Sequence, residues 1–320
     1  MSAPDRTAPP PHPTRRDRPL VAITLKVVST LLFAVMLGLI KVVSARVPTG
    51  EIVFARNFFA LIPVAVAIVL AGGGREVFRT AHPFGHIWRA TAGVTAMILA
   101  FEAIARLPIA DATALSYAAP LMTTVFAVVL LGETVRAYRW IAVIVGLAGV
   151  VVVLSPHLTL APVAGGMRAL IGVACAVAAA FFVALAMIAV RSLTRTEGTH
   201  TIVLYFTLVS AIVGLATLPF GWIVPSAADA AMLVSVGLVG GVAQLFMTQS
   251  YRYADASVVA PFEYTTMIWT LVAGILVFDE VPQPVVLVGM AIIIASGVLI
   301  ILRERRLGIA RPERPVEPPG

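Results

Sequence analysis

Five ionisable side chains stand inside apolar stretches, where a charge costs roughly 2.5–3.5 kcal/mol on insertion scales and is a functional candidate by default. They are Lys26, Lys41, Arg56, Glu102 and Glu263. Lys26 and Glu263 lie a similar number of residues in from the ends of their stretches, so at about 1.5 Å per residue they reach a similar depth. The two could pair. Glu263 could also exchange protons with a coupled flux or meet a cationic group of a solute. The plain alternatives are a lysine that snorkels to the headgroups and a glutamate held by a neighbouring helix. Lys41, Arg56 and Glu102 form a second set near the opposite surface, where Glu102 is expected to neutralise Lys41 or Arg56, as a vestibule charge or as a structural pair.

Two prolines, Pro120 and Pro261, interrupt apolar stretches that resemble one another. A proline removes one backbone hydrogen bond and leaves a carbonyl free, and paired interruptions point to a midplane binding site. Ser116, Tyr117, Thr123, Thr124, Tyr264, Thr265, Thr266 and Trp269 stand near them. Such side chains can bracket a planar or polar solute by stacking and hydroxyl bonds. Serines and threonines also hold helices together without any ligand. Gln244 and Gln249 add polar groups in a third stretch.

Other chemistries find little support. There is no HExxH and no GxSxG, and no serine or cysteine beside a histidine within an apolar stretch. The single Cys175 allows no intramolecular disulfide, and the five histidines sit in tails or near segment ends, so no metal centre and no cofactor is expected.

The elements that must position these residues are membrane helices. Hydrophobic residues make up 60% of the 320-residue chain and charged ones 12%, against roughly 45–50% and 25% in soluble domains. Ten spans are expected, at about 19–45, 50–71, 85–106, 109–131, 137–155, 167–190, 200–223, 230–251, 256–278 and 282–302. Residues 1–18 and 304–320 are polar, proline-rich tails expected to be disordered. With both tails in the cytoplasm, seventeen of the 23 Lys and Arg residues fall on the inner side and only Arg46, Arg106 and Arg168 on the outer side. This bias accounts for the net charge of +7 without nucleic acid.

Residues 107–141 and 251–287 echo each other. Each opens on Ala-Asp-Ala (Asp111; Asp255), passes through an interrupted apolar run and stops at acidic residues (Glu133; Asp279 and Glu280). The aspartates suit helix capping, and the glutamates suit the positive end of the following helix. Gly146, Gly149, Gly237, Gly240, Gly241, Gly289 and Gly297 suit close helix approach. The echo divides the chain into repeats at 19–156 and 167–303, five spans each. Five is odd, so the halves must face opposite ways, an inverted repeat of the kind secondary transporters use.

Several motifs carry a family likeness: Arg56 in IVFARNFFA, Arg89 in WRATAG, LPIADATALSYAAPL, LLGETVRAYRW followed by GLAGVVVVLSP, and APFEYTTMIW with its later FDEVP. The pattern resembles EamA-type members of the drug/metabolite transporter superfamily, and it departs from that family at Glu102, where a neutral residue is expected. The resemblance implies an all-α membrane protein of two inverted five-helix repeats around a central cavity. It further implies alternating-access transport of a small metabolite, such as an amino acid or derivative, riboflavin or S-adenosylmethionine. The expected partners are that solute and the bilayer of the cell's inner membrane, with the chain a monomer or homodimer. The competing readings are an accessory membrane subunit and an intramembrane enzyme.

Overall fold

A computed structural model describes residues 18–70, 72, 74–158, 166–194, 196–254 and 256–306. The expected tails and the capping role of Asp255 lie outside the described residues, apart from Arg18, whose amide donates to Tyr253 O at 3.0 Å, and positions 304–306, which continue the last helix. The chain is helical throughout this range: α1 (Pro19–Val43), α2 (Thr49–Leu70), α3 (Pro83–Arg106), α4 (Ile109–Ser116), α5 (Ala118–Leu131), α6 (Ala137–Leu158), α7 (Gly166–Leu193), α8 (Thr199–Leu215), α9 (Ala227–Tyr253), α10 (Ala256–Val259), α11 (Thr265–Phe278) and α12 (Pro284–Arg306). Among the described residues, nine stretches are long and apolar enough to cross a bilayer, and Thr201–Leu215 is a shorter apolar helix. Less than half of each spanning stretch is buried within the protein. The outward residues, such as Ile62, Val66, Ile144, Leu276 and Leu299, are large and apolar. A face this apolar is stable against hydrocarbon and costly against water.

Three expected spans differ from the structure. The span expected at 200–223 stops at Leu215, because Pro219 and the left-handed Gly221 (φ 95°) force a 3-10 turn at Leu218–Phe220. The stretch at 109–131 breaks at Tyr117 into α4 and α5. The stretch at 256–278 breaks through a 3-10 turn at Ala260–Tyr264. Pro120 offers no N–H to the Ser116 carbonyl and Pro261 none to that of residue 257, so each helix loosens one turn before its proline. Yet the prolines are not matched positions. Tyr264 follows Tyr117 by 147 residues, and the helix stop at Asp279 (φ 53°) follows that at Gly132 (φ 66°) by the same 147. Each stop is closed by the same six-residue bond, Glu133 N–H to Ala127 O at 3.1 Å and Glu280 N–H to Gly274 O at 2.9 Å. The two tyrosines are therefore the equivalent residues, and the prolines flank them from opposite sides. The three extra residues of the second echo lie before Tyr264.

Under this correspondence α1 matches α7, α2 matches α8, α3 matches α9, and α6 matches α12. The main packing pairs are α1 with α9, α7 with α3, α6 with α12, α2 with α9 and its counterpart α8 with α3, and α2 with α8. Each either swaps with another or maps onto itself. Gly149 and Gly289 face each other where α6 meets α12: a Cβ added at Gly289 would fall 2.8 Å from the Gly149 carbonyl oxygen. The polar ties are reciprocal as well. Glu197, just before α8, accepts from the Thr80 hydroxyl and the amides of Ala81 and His82 at the start of α3. Glu51, at the start of α2, accepts from the Ile223 amide ahead of α9. The Thr80 hydroxyl and the two amides hold the Glu197 carboxyl below the usual carboxylate range.

Candidate functional site

The two broken helices meet at Tyr117 and Tyr264. Their rings stack with centroids 4.9 Å apart and planes 23° from parallel. The Tyr117 hydroxyl donates to the Glu263 carbonyl oxygen at 2.7 Å, within the 3-10 turn that Pro261 opens. Backbone that irregular is tolerated at membrane depth only where protein or a water-filled cavity lies beside it.

One residue before Tyr264, the Glu263 carboxylate accepts a hydrogen bond from Lys26 Nζ at 2.9 Å. The pair is lopsided. The Lys26 side chain is 1% exposed and that of Glu263 is 46% exposed, so the ammonium is sealed while the carboxylate opens onto accessible space. The ammonium also lies 5.2 Å from the Tyr251 ring centroid. Thr30 and Thr265 share a hydrogen bond at 2.7 Å, and the Ser29 hydroxyl donates to Ala243 O at 2.8 Å, tying α1 to α11 and α9 around the pair. The site thus unites a half-exposed carboxylate, a buried ammonium and a tyrosine stack at the junction of the two halves.

The structure brings Lys26 to Glu263 and Tyr117 to Tyr264, in one neighbourhood. Ser116, Pro120 and Thr124 follow at four-residue steps on one face, with Ser116 and Pro120 exposed. Their hydroxyls are already engaged within the helix, Ser116 to Thr113 O at 2.6 Å and Thr124 to Pro120 O at 3.2 Å. Trp269 lies one turn beyond Thr265 on α11, and its indole N–H is buried without a hydrogen-bond partner among the described residues.

The second charged set is not assembled as expected. Glu102 bonds Arg106, one turn along the same helix, and Thr49, and it neutralises neither Lys41 nor Arg56. Lys41 instead pairs with Glu280 at 2.7 Å and donates to the Leu107 carbonyl oxygen at 2.7 Å. The other Glu280 oxygen accepts the Ile109 amide at 2.9 Å, so Glu280 meets the free N-terminus of α4, whose first turn also carries Asp111. Glu133 pairs with Arg191 at 3.3 Å. Arg56 and Gln244 line one small cavity together.

Sequence reasoning passed over Tyr251 and Thr30 as site residues and named Arg89 only within a family motif. Arg89 was legible as a charge six residues into α3 but was absorbed into the count of inner basic residues. The role of Gly297 also appears only in three dimensions, because a Cβ there would fall 1.7 Å from the Tyr264 hydroxyl. Gly297→Ala should push Tyr264 off Tyr117, with a thermal midpoint lowered by several degrees for a cost of about 1–3 kcal/mol. Transport should fall at least tenfold. An unchanged midpoint and unchanged flux would show that the stack is dispensable.

The chain is similar over its length to transporters of known cargo. It is 29% identical over 282 residues to a pseudopaline exporter of Pseudomonas aeruginosa, covering 88% of this chain and 93% of the relative. It is 29% identical over 266 residues to an S-adenosylmethionine uptake transporter of Rickettsia conorii, covering 83% and 87%. A solved crystal structure that shares 21% identity superposes with a TM-score of 0.63, covering 92% of this chain and 99% of that one, which shows the fold. Residues 20–155 and 170–302 each match the EamA-like transporter family, and with two matches that span most of the chain, this multi-pass membrane protein belongs to that family of drug/metabolite transporters.

Proposed function

We propose that the chain is a secondary carrier that moves a small polar metabolite by alternating access, with its site where Tyr117 and Tyr264 meet. The observation that carries this reading is the half-exposed Glu263 carboxylate, held by a sealed lysine at the junction of two broken, equivalent helices. The halves at 19–156 and 167–303 are inverted copies, five spans each, with both tails cytoplasmic. The reciprocal packing and the arginine bias support this arrangement. Ser116, Thr124, Trp269 and Gln244 contribute polar or stacking surface to the solute path, and Glu263 is the group that exchanges protons if flux is coupled. Two opposed copies of one architecture open to either side at nearly equal cost, which is what a carrier requires.

The test is counterflow in vesicles holding the purified protein, with a panel of amino acids, nucleosides, S-adenosylmethionine and pseudopaline, the last two taken from the relatives' cargo. At least one solute is expected to exchange, with saturation. Movement of none would favour an accessory membrane subunit.

A further inference from the structure

Among the described residues, Arg56 and Arg89 are cations without a counter-ion. The Arg56 side chain on α2 is nine-tenths buried, and its guanidinium donates to Asn57 Oδ1 at 3.0 Å. The Arg89 guanidinium on α3 lies 3.7 Å from the Phe206 ring centroid, and its Nε and Nη1 are shielded from solvent with no acceptor. Among the described residues no carboxylate lies within 4 Å of either guanidinium, whereas Lys26, Lys41 and Arg106 each have one. Both arginines line a single cavity of about 40 Å³ between α2, α3, α8 and α9, which Thr207 and Gln244 share. Placing two unneutralised guanidinium groups beside one small cavity is costly unless something negative joins them.

We infer that Arg56 and Arg89 form an anion subsite that takes a carboxylate of the transported solute. This inference rests on the carrier reading above. A cavity of 40 Å³ has room for about one or two waters, or for the two oxygens of a carboxylate between the planar forks of the arginines. Gln244 also lines an adjoining cavity of about 30 Å³ with Thr248 and Gln249. Gln244, Thr248 and Tyr251 follow on one face of α9 at helical spacing. That face runs from the arginines to the Lys26–Glu263 pair, seven residues and about 10 Å away. The substrate class is therefore a metabolite with a free carboxylate at one end and a polar or cationic group roughly 10 Å from it.

The experiment follows the thermal midpoint of the purified, detergent-solubilised protein against sodium acetate and against its neutral isostere acetamide. Ionic strength is held with a sulfonate too bulky for the cavity. Acetate should raise the midpoint saturably and acetamide should not. Arg89→Gln and Arg56→Gln should each raise the half-saturating acetate concentration at least tenfold, with Arg89→Lys intermediate. If Arg56→Gln does not fold, the Arg89 variants decide alone. Equal response to acetamide, no saturable response, or an unchanged acetate curve in Arg89→Gln would overturn the subsite. The readout involves no flux: failure here removes the anion subsite alone, while absent counterflow with intact acetate binding removes the carrier reading alone.

Discussion

Glu263→Gln is expected to cut transport by roughly a hundredfold, the equivalent of about 3 kcal/mol, while the protein still folds. The variant replaces the one charge that faces open space at the junction and strands the buried Lys26 ammonium without its anion. Breaking a fully buried pair from one side costs about 3–5 kcal/mol, much of it the penalty of the charge left behind, and the half-exposed carboxylate lowers that figure here. The lopsided exposure makes the direction testable. Lys26→Met leaves a carboxylate that is itself half-exposed, so it should destabilise less than Glu263→Gln. The double variant removes both charges and should recover much of the stability lost in Glu263→Gln, without recovering transport. Thermal unfolding in detergent and flux in vesicles read the two effects separately. Unchanged flux with an unchanged pH profile in Glu263→Gln would remove Glu263 from the site. Stabilities that simply add in the double variant would mean that the two residues do not act as a pair.

The second large effect is expected at the opposite end of the same helices. One carboxylate, Glu280, ties Lys41 of α1 to the start of α4, and Lys41 also holds the Leu107 carbonyl. The Phe278 ring lies 5.6 Å below the ammonium. Charge-assisted hydrogen bonds contribute about 1.5–3 kcal/mol each, so under the carrier reading proposed above this cluster is expected to act as a latch that favours a state closed at that end. Lys41→Met should shift the equilibrium toward the state open there by about tenfold or more, since 1.4 kcal/mol is a factor of ten. The measurement is the maleimide labelling rate of a cysteine introduced at Ala112, buried on α4 about one turn beyond the Ile109 amide that Glu280 holds, in a background where Cys175 is replaced by alanine. Labelling should be slow in that background and much faster once Lys41 is changed. Glu280→Gln should act in the same direction and more strongly, because it also weakens the cap on α4. Equal labelling rates in all three proteins would show that the contact is a passive surface pair.

How much of this was legible beforehand follows from what one dimension can encode. Hydropathy located most of the spans within a few residues, because membrane insertion depends on local composition and length. The Lys26–Glu263 pairing was within reach for the same reason: a rise of about 1.5 Å per residue turns sequence position into depth. Depth alone did not decide partners. Glu102 and Lys41 lie at similar levels, yet Glu102 turns to Arg106 on its own helix while Lys41 meets Glu280. That choice is set by how each helix is rotated about its axis, which long-range packing decides.

The same limit explains the prolines and the arginines. Pro120 and Pro261 marked the helices that break, but the matched positions are Tyr117 and Tyr264, whose equivalence emerged only when the helix stops at Gly132 and Asp279 could be aligned. Arg89 read as one more inner basic residue until folding set it beside Phe206 and into the cavity it shares with Arg56. The amino-acid sequence by itself determined that this chain enters a bilayer, where its helices run and how deep its charges lie, since these depend on residue type and count. Tertiary structure alone decided which charges are neutralised, which stay unpaired and where the two broken helices touch, because each depends on neighbours brought from distant parts of the chain.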